Sequence, residues 1–241
     1  MRFFSPSPQT ALELDNIDSK IDPWLGRLVY PLGRFLVLPA YFGTIAVRGR
    51  DRLPSDGPIV LAPTHRSRWD PILVAYATGR HVTGRDLRYM VTANEVKGVQ
   101  GWFIRRLGGF PIDTENPGIA SLRHGIELLH DRQMLVIFPE GNIFRDGQLH
   151  RLKPGLTRLA VQAEASQADL GVQIVPISLH YSDPFPSWGC DVEIRIGDPL
   201  RVAEYVSAGN KRGAEQLRSH LQSALEALER GDPSALEPQA A

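Results

Sequence analysis

Apolar residues fall in short runs along this chain, separated by turn residues and alternating with longer amphipathic stretches. Ile59-Val60-Leu61-Ala62 is continuous, the pattern of a strand covered on both faces. Runs of this kind predict strands at 44–47, 58–62, 87–92, 133–138, 172–178 and 191–197. Asp191-Val192-Glu193-Ile194-Arg195-Ile196 alternates instead, which predicts a strand exposed on one face. Helical periodicity predicts helices at 71–78, 117–131, 155–166 and 211–230. In the last, Leu217, Leu221, Leu225 and Leu228 make one stripe suited to docking on a sheet. Strands alternating with helices predict an α/β fold: a single layered domain, its mixed, largely parallel sheet flanked by helices. Pro176 inside a strand run predicts an edge position or a bulge.

A short amphipathic helical segment precedes this domain. Pro23 to Phe42 is amphipathic, and Pro31 and Pro39 predict a break into two short helices. The longest uncharged apolar run, Phe35 to Val47, is shorter than the roughly 20 residues that span a bilayer. Arg27 and Arg34, with Trp24, Tyr30, Phe35, Tyr41 and Phe42, are residue types that anchor at headgroup level. The stretch therefore reads as membrane-interfacial; a helix packed on the domain's own core is the plainer alternative. No signal-peptide pattern precedes it, so no leader is expected. These readings divide the chain into 1–43, a polar lead and the interfacial segment; 44–231, the domain; and 232–241, a tail.

With 241 residues and 42% hydrophobic content, the chain can bury a substantial core. Its net charge of +0 argues against a nucleic-acid partner. Charge is nonetheless uneven. Arg27, Arg34, Arg48 and Arg50 occur without an acid between Trp24 and Arg50, and Arg145, Arg151, Lys153 and Arg158 face Asp146 alone. Such patches suit phosphates or lipid headgroups, or are simply solvated faces. The single Cys190 excludes an internal disulfide and a multi-cysteine metal site, and fits a reducing compartment.

Two apolar runs end in candidate chemistry. Thr64-His65-Arg66-Ser67-Arg68-Trp69-Asp70 follows the first, and Pro139-Glu140-Gly141 closes the run from Met134 to Phe138. Open α/β sheets place their sites at such strand ends. Histidine suits a general base near neutral pH, and a carboxylate five residues on can fix its tautomer and stabilise the imidazolium. Asp70-Pro71 also reads as a helix N-cap, with one oxygen left for His65. No serine or cysteine sits in a nucleophile-elbow pattern, so direct attack by an acceptor hydroxyl is expected. No second histidine lies at zinc-ligand spacing, so no metal site is expected.

His65-x4-Asp70 resembles the signature of the glycerolipid acyltransferases, the family that includes 1-acylglycerol-3-phosphate acyltransferase. Three further blocks follow in that family's order: Gly101-Trp102-Phe103-Ile104-Arg105-Arg106, Phe138-Pro139-Glu140-Gly141 and Val175-Pro176-Ile177-Ser178. The resemblance implies that Arg106 contacts the acceptor's phosphate, that Glu140 and Gly141 help bind the acceptor, and that the Val-Pro-Ile strand buttresses the site. Lys153-Pro154-Gly155 resembles the family's Lys-x-Gly before a helix, where a cation and a helix start both favour an anion. One departure stands out. Where the family continues Glu-Gly-Thr-Arg-Ser, Ile143 occupies the arginine's position, so either Arg145 reaches the same phosphate or the acceptor differs.

The implied reaction moves a fatty acyl group from acyl-CoA or acyl-ACP to the free hydroxyl of lysophosphatidic acid, giving phosphatidic acid. It needs no acyl-enzyme and no cofactor beyond the thioester co-substrate. The implied partners are the acyl-CoA or acyl carrier protein, a lysophospholipid acceptor and a membrane surface, with the enzyme peripheral or monotopic on the cytoplasmic face. Another lysophospholipid, glycerol 3-phosphate or a non-phosphate acceptor remains open, as does a non-catalytic lipid-binding protein.

Overall fold

The computed structural model describes residues 19–113 and 118–232. The polar lead to residue 18, the first residue of the 117–131 helix and the tail from 233 lie outside the described residues. Among the described residues, eight strands form one sheet: β1 (Ile45–Arg48), β2 (Ile59–Pro63), β3 (Leu87–Thr92), β4 (Gly109–Ile112), β5 (Met134–Val136), β6 (Gln173–Tyr181), β7 (Val192–Ile196) and β8 (Leu200–Arg201). The order is β1-β7-β6-β2-β5-β3-β4, with β8 also paired to β6. Parallel pairing runs without interruption from β6 through β2, β5 and β3 to β4; only β6 with β7 and with β8 is antiparallel. The mixed, largely parallel sheet expected from the alternation is therefore present.

Helices cover both faces. They are α1 (starting at Pro23–Leu32), α2 (Asp70–Thr78), α3 (Arg80–Thr83), α4 (Gly98–Arg106), α5 (Ile119–His130), α6 (Gly155–Ser166), α7 (Ala203–Val206) and α8 (Asn210–Arg230). Strand β2 shows why its run is continuously apolar. Val60 and Ala62 pack toward Leu129 of α5, Leu159 of α6 and the α8 leucines, while Ile59 and Leu61 pack toward Leu38 of α1 and Leu73 and Val74 of α2. The stripe Leu217, Leu221, Leu225 and Leu228 is almost wholly buried, as its spacing predicts. Each of these leucines contributes about 1.5–3 kcal/mol by leaving water.

One expectation about proline is corrected and the other is met through its second alternative. Residues 23–41 do not split into two helices: Pro23–Leu32 continues through a π turn at Gly33–Val37 into Leu38–Tyr41. Pro39 would normally clash with the carbonyl four residues back. That residue, Phe35, lies in the wide turn, which displaces it. Pro176 sits on a central strand, not an edge, and pairs with Ala62 in register, but on its other flank it lies at a bulge, where residues 175–176 oppose 197–199 between β7 and β8. Its carbonyl accepts from Gly197 N–H on the flank where β6's partner changes from β7 to β8, so no ladder donor is required there.

Asp22 starts α1 by accepting from the N–H groups of Trp24 and Leu25 at 3.0 and 3.2 Å. Leu38 and Phe42 anchor the other end in the core, where Tyr41 and Phe42 meet Trp69. The outer face is the reverse of a soluble surface: Trp24 is 78% exposed and Phe35 74%, with Leu28 and Leu36 beside them. No helix among the described residues is long and apolar enough to cross a membrane.

Candidate active site

The loops after β2 and β5 meet because those strands are parallel neighbours. Past Pro63, Thr64 prolongs the pairing to β6: its N–H donates to Ile177 O and its hydroxyl accepts from Leu179 N–H. The chain then turns through His65 to the start of α2. Phe144 N–H donates to His65 O, which ties the second loop to the first.

Asp70 organises the turn. One carboxylate oxygen, Oδ2, takes His65 Nδ1 at 2.8 Å and the N–H groups of Arg66 and Ser67 at 2.6 and 2.8 Å. The other, Oδ1, accepts from the Tyr181 hydroxyl. The side chain is completely buried. Asp70 is therefore not a helix N-cap, as Asp70-Pro71 suggests; Trp69 holds that position, and Asp70's oxygens reach back to the loop and across to β6. A carboxylate only accepts, so the neutral His65 ring carries its proton on Nδ1 and leaves Nε2 as a base. His65 also stacks on Phe138, centroid to centroid 4.0 Å. Burial, with Asp70 beside it, pushes the Tyr181 phenol far up, so it remains a donor.

Behind this pair lies an ionic knot. Arg66 Nη1 donates to both oxygens of Glu140 at 2.9 and 2.8 Å, and Nη2 donates to Glu229 of α8 at 3.1 Å. Burial pushes the Glu140 carboxyl up against the pull of Arg66. For Arg66, burial works against the charge, yet the two carboxylates raise it above the ordinary arginine value. Arg66 sits between two carboxylates, Glu140 and Glu229, with short charge-assisted bonds, which favours the ionised pair.

His65 lines a cavity of about 1340 Å³ that runs between the sheet end, α1, α2 and α6. Its walls include Ile72, Met90, Ile104, Ile112, Ile126 and Leu159, apolar enough and long enough for a hydrocarbon chain. Gly141, Ile143, Lys153 and Arg158 share the wall with His65. Gly141 has φ +74°, and a Cβ there would lie 2.7 Å from Lys153 Cδ and Cε. Glycine thus allows both the turn and the passage of the lysine across it.

Of the sequence candidates, His65, Asp70, Gly141 and Lys153 come together. Glu140 is turned inward onto Arg66 and does not line the cavity. Arg106 stacks on Trp102 at 4.2 Å and Arg145 on Phe185 at 5.2 Å, both away from the cavity wall. Ile143 adds an apolar patch where the resemblance has an arginine. Sequence reasoning missed Tyr181 and the cavity position of Arg158. Tyr181 had a signal: extended to 181, the period-two pattern of β6 puts Ile177, Leu179 and Tyr181 on the face toward α2. Among the described residues, no group of three or more His, Cys, Asp or Glu could hold a metal.

The chain is 26% identical over 204 residues to the 1-acyl-sn-glycerol-3-phosphate acyltransferase of Streptococcus pneumoniae, covering 80% of this chain and 69% of that protein. It is 26% identical over 194 residues to the Bacillus subtilis protein of the same name, covering 78% and 89%. A mitochondrial glycerol-3-phosphate acyltransferase 1 of Mus musculus is 28% identical over 134 residues, covering 52% of this chain and 16% of that much longer protein. The crystal structure of the 1-acyl-sn-glycerophosphate (LPA) acyltransferase PlsC from Thermotoga maritima shares the fold. Its TM-score is 0.61 at 18% identity, over 95% of this chain and 85% of that one. The family model Acyltransferase matches residues 44–180, a span that runs from β1 to the end of β6 and includes His65, Asp70, Gly141 and Lys153. With more than half of its 241 residues matched in this way, the chain belongs to the acyltransferase family.

Proposed function

We propose that this acyltransferase moves a fatty acyl group from a thioester of coenzyme A or acyl carrier protein to the free hydroxyl of lysophosphatidic acid, yielding phosphatidic acid. The observation that carries the proposal is the 2.8 Å His65–Asp70 contact on the wall of an apolar cavity. The names of the pneumococcal and Bacillus relatives support the acceptor.

The acceptor hydroxyl attacks the thioester carbonyl while His65 Nε2 takes its proton. Asp70 holds the ring and stabilises the imidazolium that forms. The tetrahedral intermediate then expels the thiolate, which leaves with the proton from His65. No acyl-enzyme is needed. Lys153 and Arg158 supply positive charge on the same wall for the acceptor phosphate. Arg66, Glu140 and Glu229 fix the loop that carries His65, and Tyr181 fixes Asp70. The exposed Trp24, Leu28 and Phe35 of α1 rest in the headgroup layer of a membrane, peripheral and cytoplasmic, which brings the cavity to its lipid substrate.

A glycerol 3-phosphate acceptor is the second reading, favoured by the relationship to the mitochondrial enzyme and by Ile143. The test is transfer of labelled acyl groups from both thioesters to lysophosphatidic acid, lysophosphatidylcholine, glycerol 3-phosphate and a phosphate-free alcohol. Phosphatidic acid as the dominant product sustains the first reading. A preference for glycerol 3-phosphate selects the second, and transfer to none of the four overturns both.

A further inference from the structure

A second group of basic side chains lies on the same cavity, on the side of α1 and α3. Arg34 and His81 both line the cavity, and both lie against Tyr76 of α2. The Arg34 guanidinium is 5.0 Å from the Tyr76 ring centroid, and the His81 ring is 6.0 Å from it. Arg50, just past β1, brings another guanidinium to 5.6 Å from the same ring. Three basic side chains from separate segments therefore converge on one tyrosine.

Among the described residues, no ion pair joins any of the three to a carboxylate. Arg34 Nη1 and Arg50 Nε and Nη2 are buried and have no hydrogen-bond partner among the described residues. Asp86, five residues past His81 in the chain, is paired with Arg80. Burial holds His81 below the ordinary histidine value and both arginines push it further down, opposed by a hydrogen bond to the Tyr76 backbone and by no carboxylate. Stacking on tyrosine offsets part of the cost of the guanidinium groups. It leaves one Arg34 donor on the cavity side and two Arg50 donors behind it without a partner among the described residues, and an anion such as phosphate would supply the missing charge. Arg34 is also 5.5 Å from the ring of the exposed Phe35, so the cluster adjoins the outward apolar face of α1.

We propose that Arg34 and His81, backed by Arg50 and Tyr76, form a phosphate-binding site at the α1 side of the cavity. Its ligand is the phosphate of a lipid headgroup or of a soluble phosphate compound. Arg50 is not on the cavity wall and contributes charge from behind. The site is built from other elements than Lys153 and Arg158, and it stands whether or not those two hold an acceptor.

The test follows the His81 ring by NMR in the full chain during titration with inorganic phosphate. In parallel, it measures sedimentation with phosphatidylcholine vesicles with and without phosphatidylglycerol. The variants are Arg34→Gln/Arg50→Gln and, as a surface-charge control, Arg27→Gln. Phosphate is expected to move the His81 signal and raise the pH at which it titrates, because a bound anion favours the imidazolium. The double variant should bind phosphate at least about tenfold more weakly. Loss of phosphatidylglycerol-dependent sedimentation in the double variant, beyond that in Arg27→Gln, identifies a headgroup ligand. A phosphate response with no such vesicle difference identifies a soluble one. An unresponsive His81, together with vesicle binding by the double variant equal to that of Arg27→Gln, overturns the site and leaves only diffuse charge. Arg34→Gln alone serves if the double variant does not fold. The His65→Ala protein should keep the phosphate response, so failure of the site and failure of the acyl-transfer reading are distinguished.

Discussion

Replacing Asp70 with Asn removes the charge from the site while sparing its shape. The buried carboxylate accepts from His65 Nδ1, from the Arg66 and Ser67 N–H groups and from the Tyr181 hydroxyl. An asparagine oxygen in place of Oδ2 keeps the first three bonds. Its NH2 then faces Tyr181, whose hydroxyl can rotate to accept. What disappears is the attraction between the carboxylate and the imidazolium formed during proton transfer. Two unit charges about 4 Å apart at an effective dielectric of about 20 interact by about 4 kcal/mol. That corresponds to about a thousandfold in rate. The assay is steady-state acyl transfer, with kcat and KM for both substrates, alongside thermal unfolding. The expected outcome is a kcat about a thousandfold lower, with each KM changed less than about threefold. A folded Asp70→Asn protein with kcat within about tenfold of the wild type would refute the role given to Asp70.

Gly141→Ala forces a side chain into φ +74° and against Lys153, so the acceptor KM should rise about tenfold, measured by varying lysophosphatidic acid. Glu229→Gln removes one carboxylate from the buried Arg66; urea unfolding should show a loss of about 1–2 kcal/mol, and kcat should fall with it. Burial holds His180 below 6.5, with Glu229 opposing, so the unfolded chain binds the extra proton. Stability is therefore full above about 6.5 and declines as pH falls through it, and His180→Asn should flatten that decline in urea midpoints measured across the range. Trp24→Ser/Phe35→Ser should weaken binding to phosphatidylcholine vesicles about tenfold or more while leaving the unfolding temperature unchanged, since both side chains are exposed.

Much of the fold is legible because its core elements obey simple periods. The β2 run, the alternation in β7 and the α8 leucines each announce a burial pattern that the packing then uses. Elements without a period stay hidden. Strand β4 is Gly109-Phe110-Pro111-Ile112, with a glycine and a proline in four residues, and β8 has only two residues. Helix α4 carries glycines at 98 and 101, which dilute its pattern. Pro39 misleads for a different reason, being accommodated by a π turn, whereas Pro176 does mark a bulge, though in a central strand where β6 changes partner.

The site divides along the same line. His65 and Asp70 are close in sequence, so their spacing suffices to pair them. Tyr181 reaches Asp70 from 111 residues away, and Glu229 reaches Arg66 from 163 away, through sheet order and helix docking. Glu140 shows the limit of a motif. The residue lies where the resemblance puts it in the sequence, yet its buried carboxylate is taken up by Arg66 Nη1. Arg106 and Arg145 find aromatic rings instead of the cavity, while Arg158, one turn into α6, lines it.

The central claim is that His65 acts as a base on the acceptor hydroxyl and that no acyl group passes through the protein. A single-turnover experiment tests it: labelled acyl thioester is mixed with lysophosphatidic acid and wild-type or His65→Ala protein, and both lipid product and protein-bound label are quantified. The account predicts phosphatidic acid from the wild type, a loss of about a thousandfold or more in His65→Ala, and no protein-bound acyl group in either. Near-wild-type turnover by His65→Ala, or an acylated protein that passes its label to the acceptor, would contradict it.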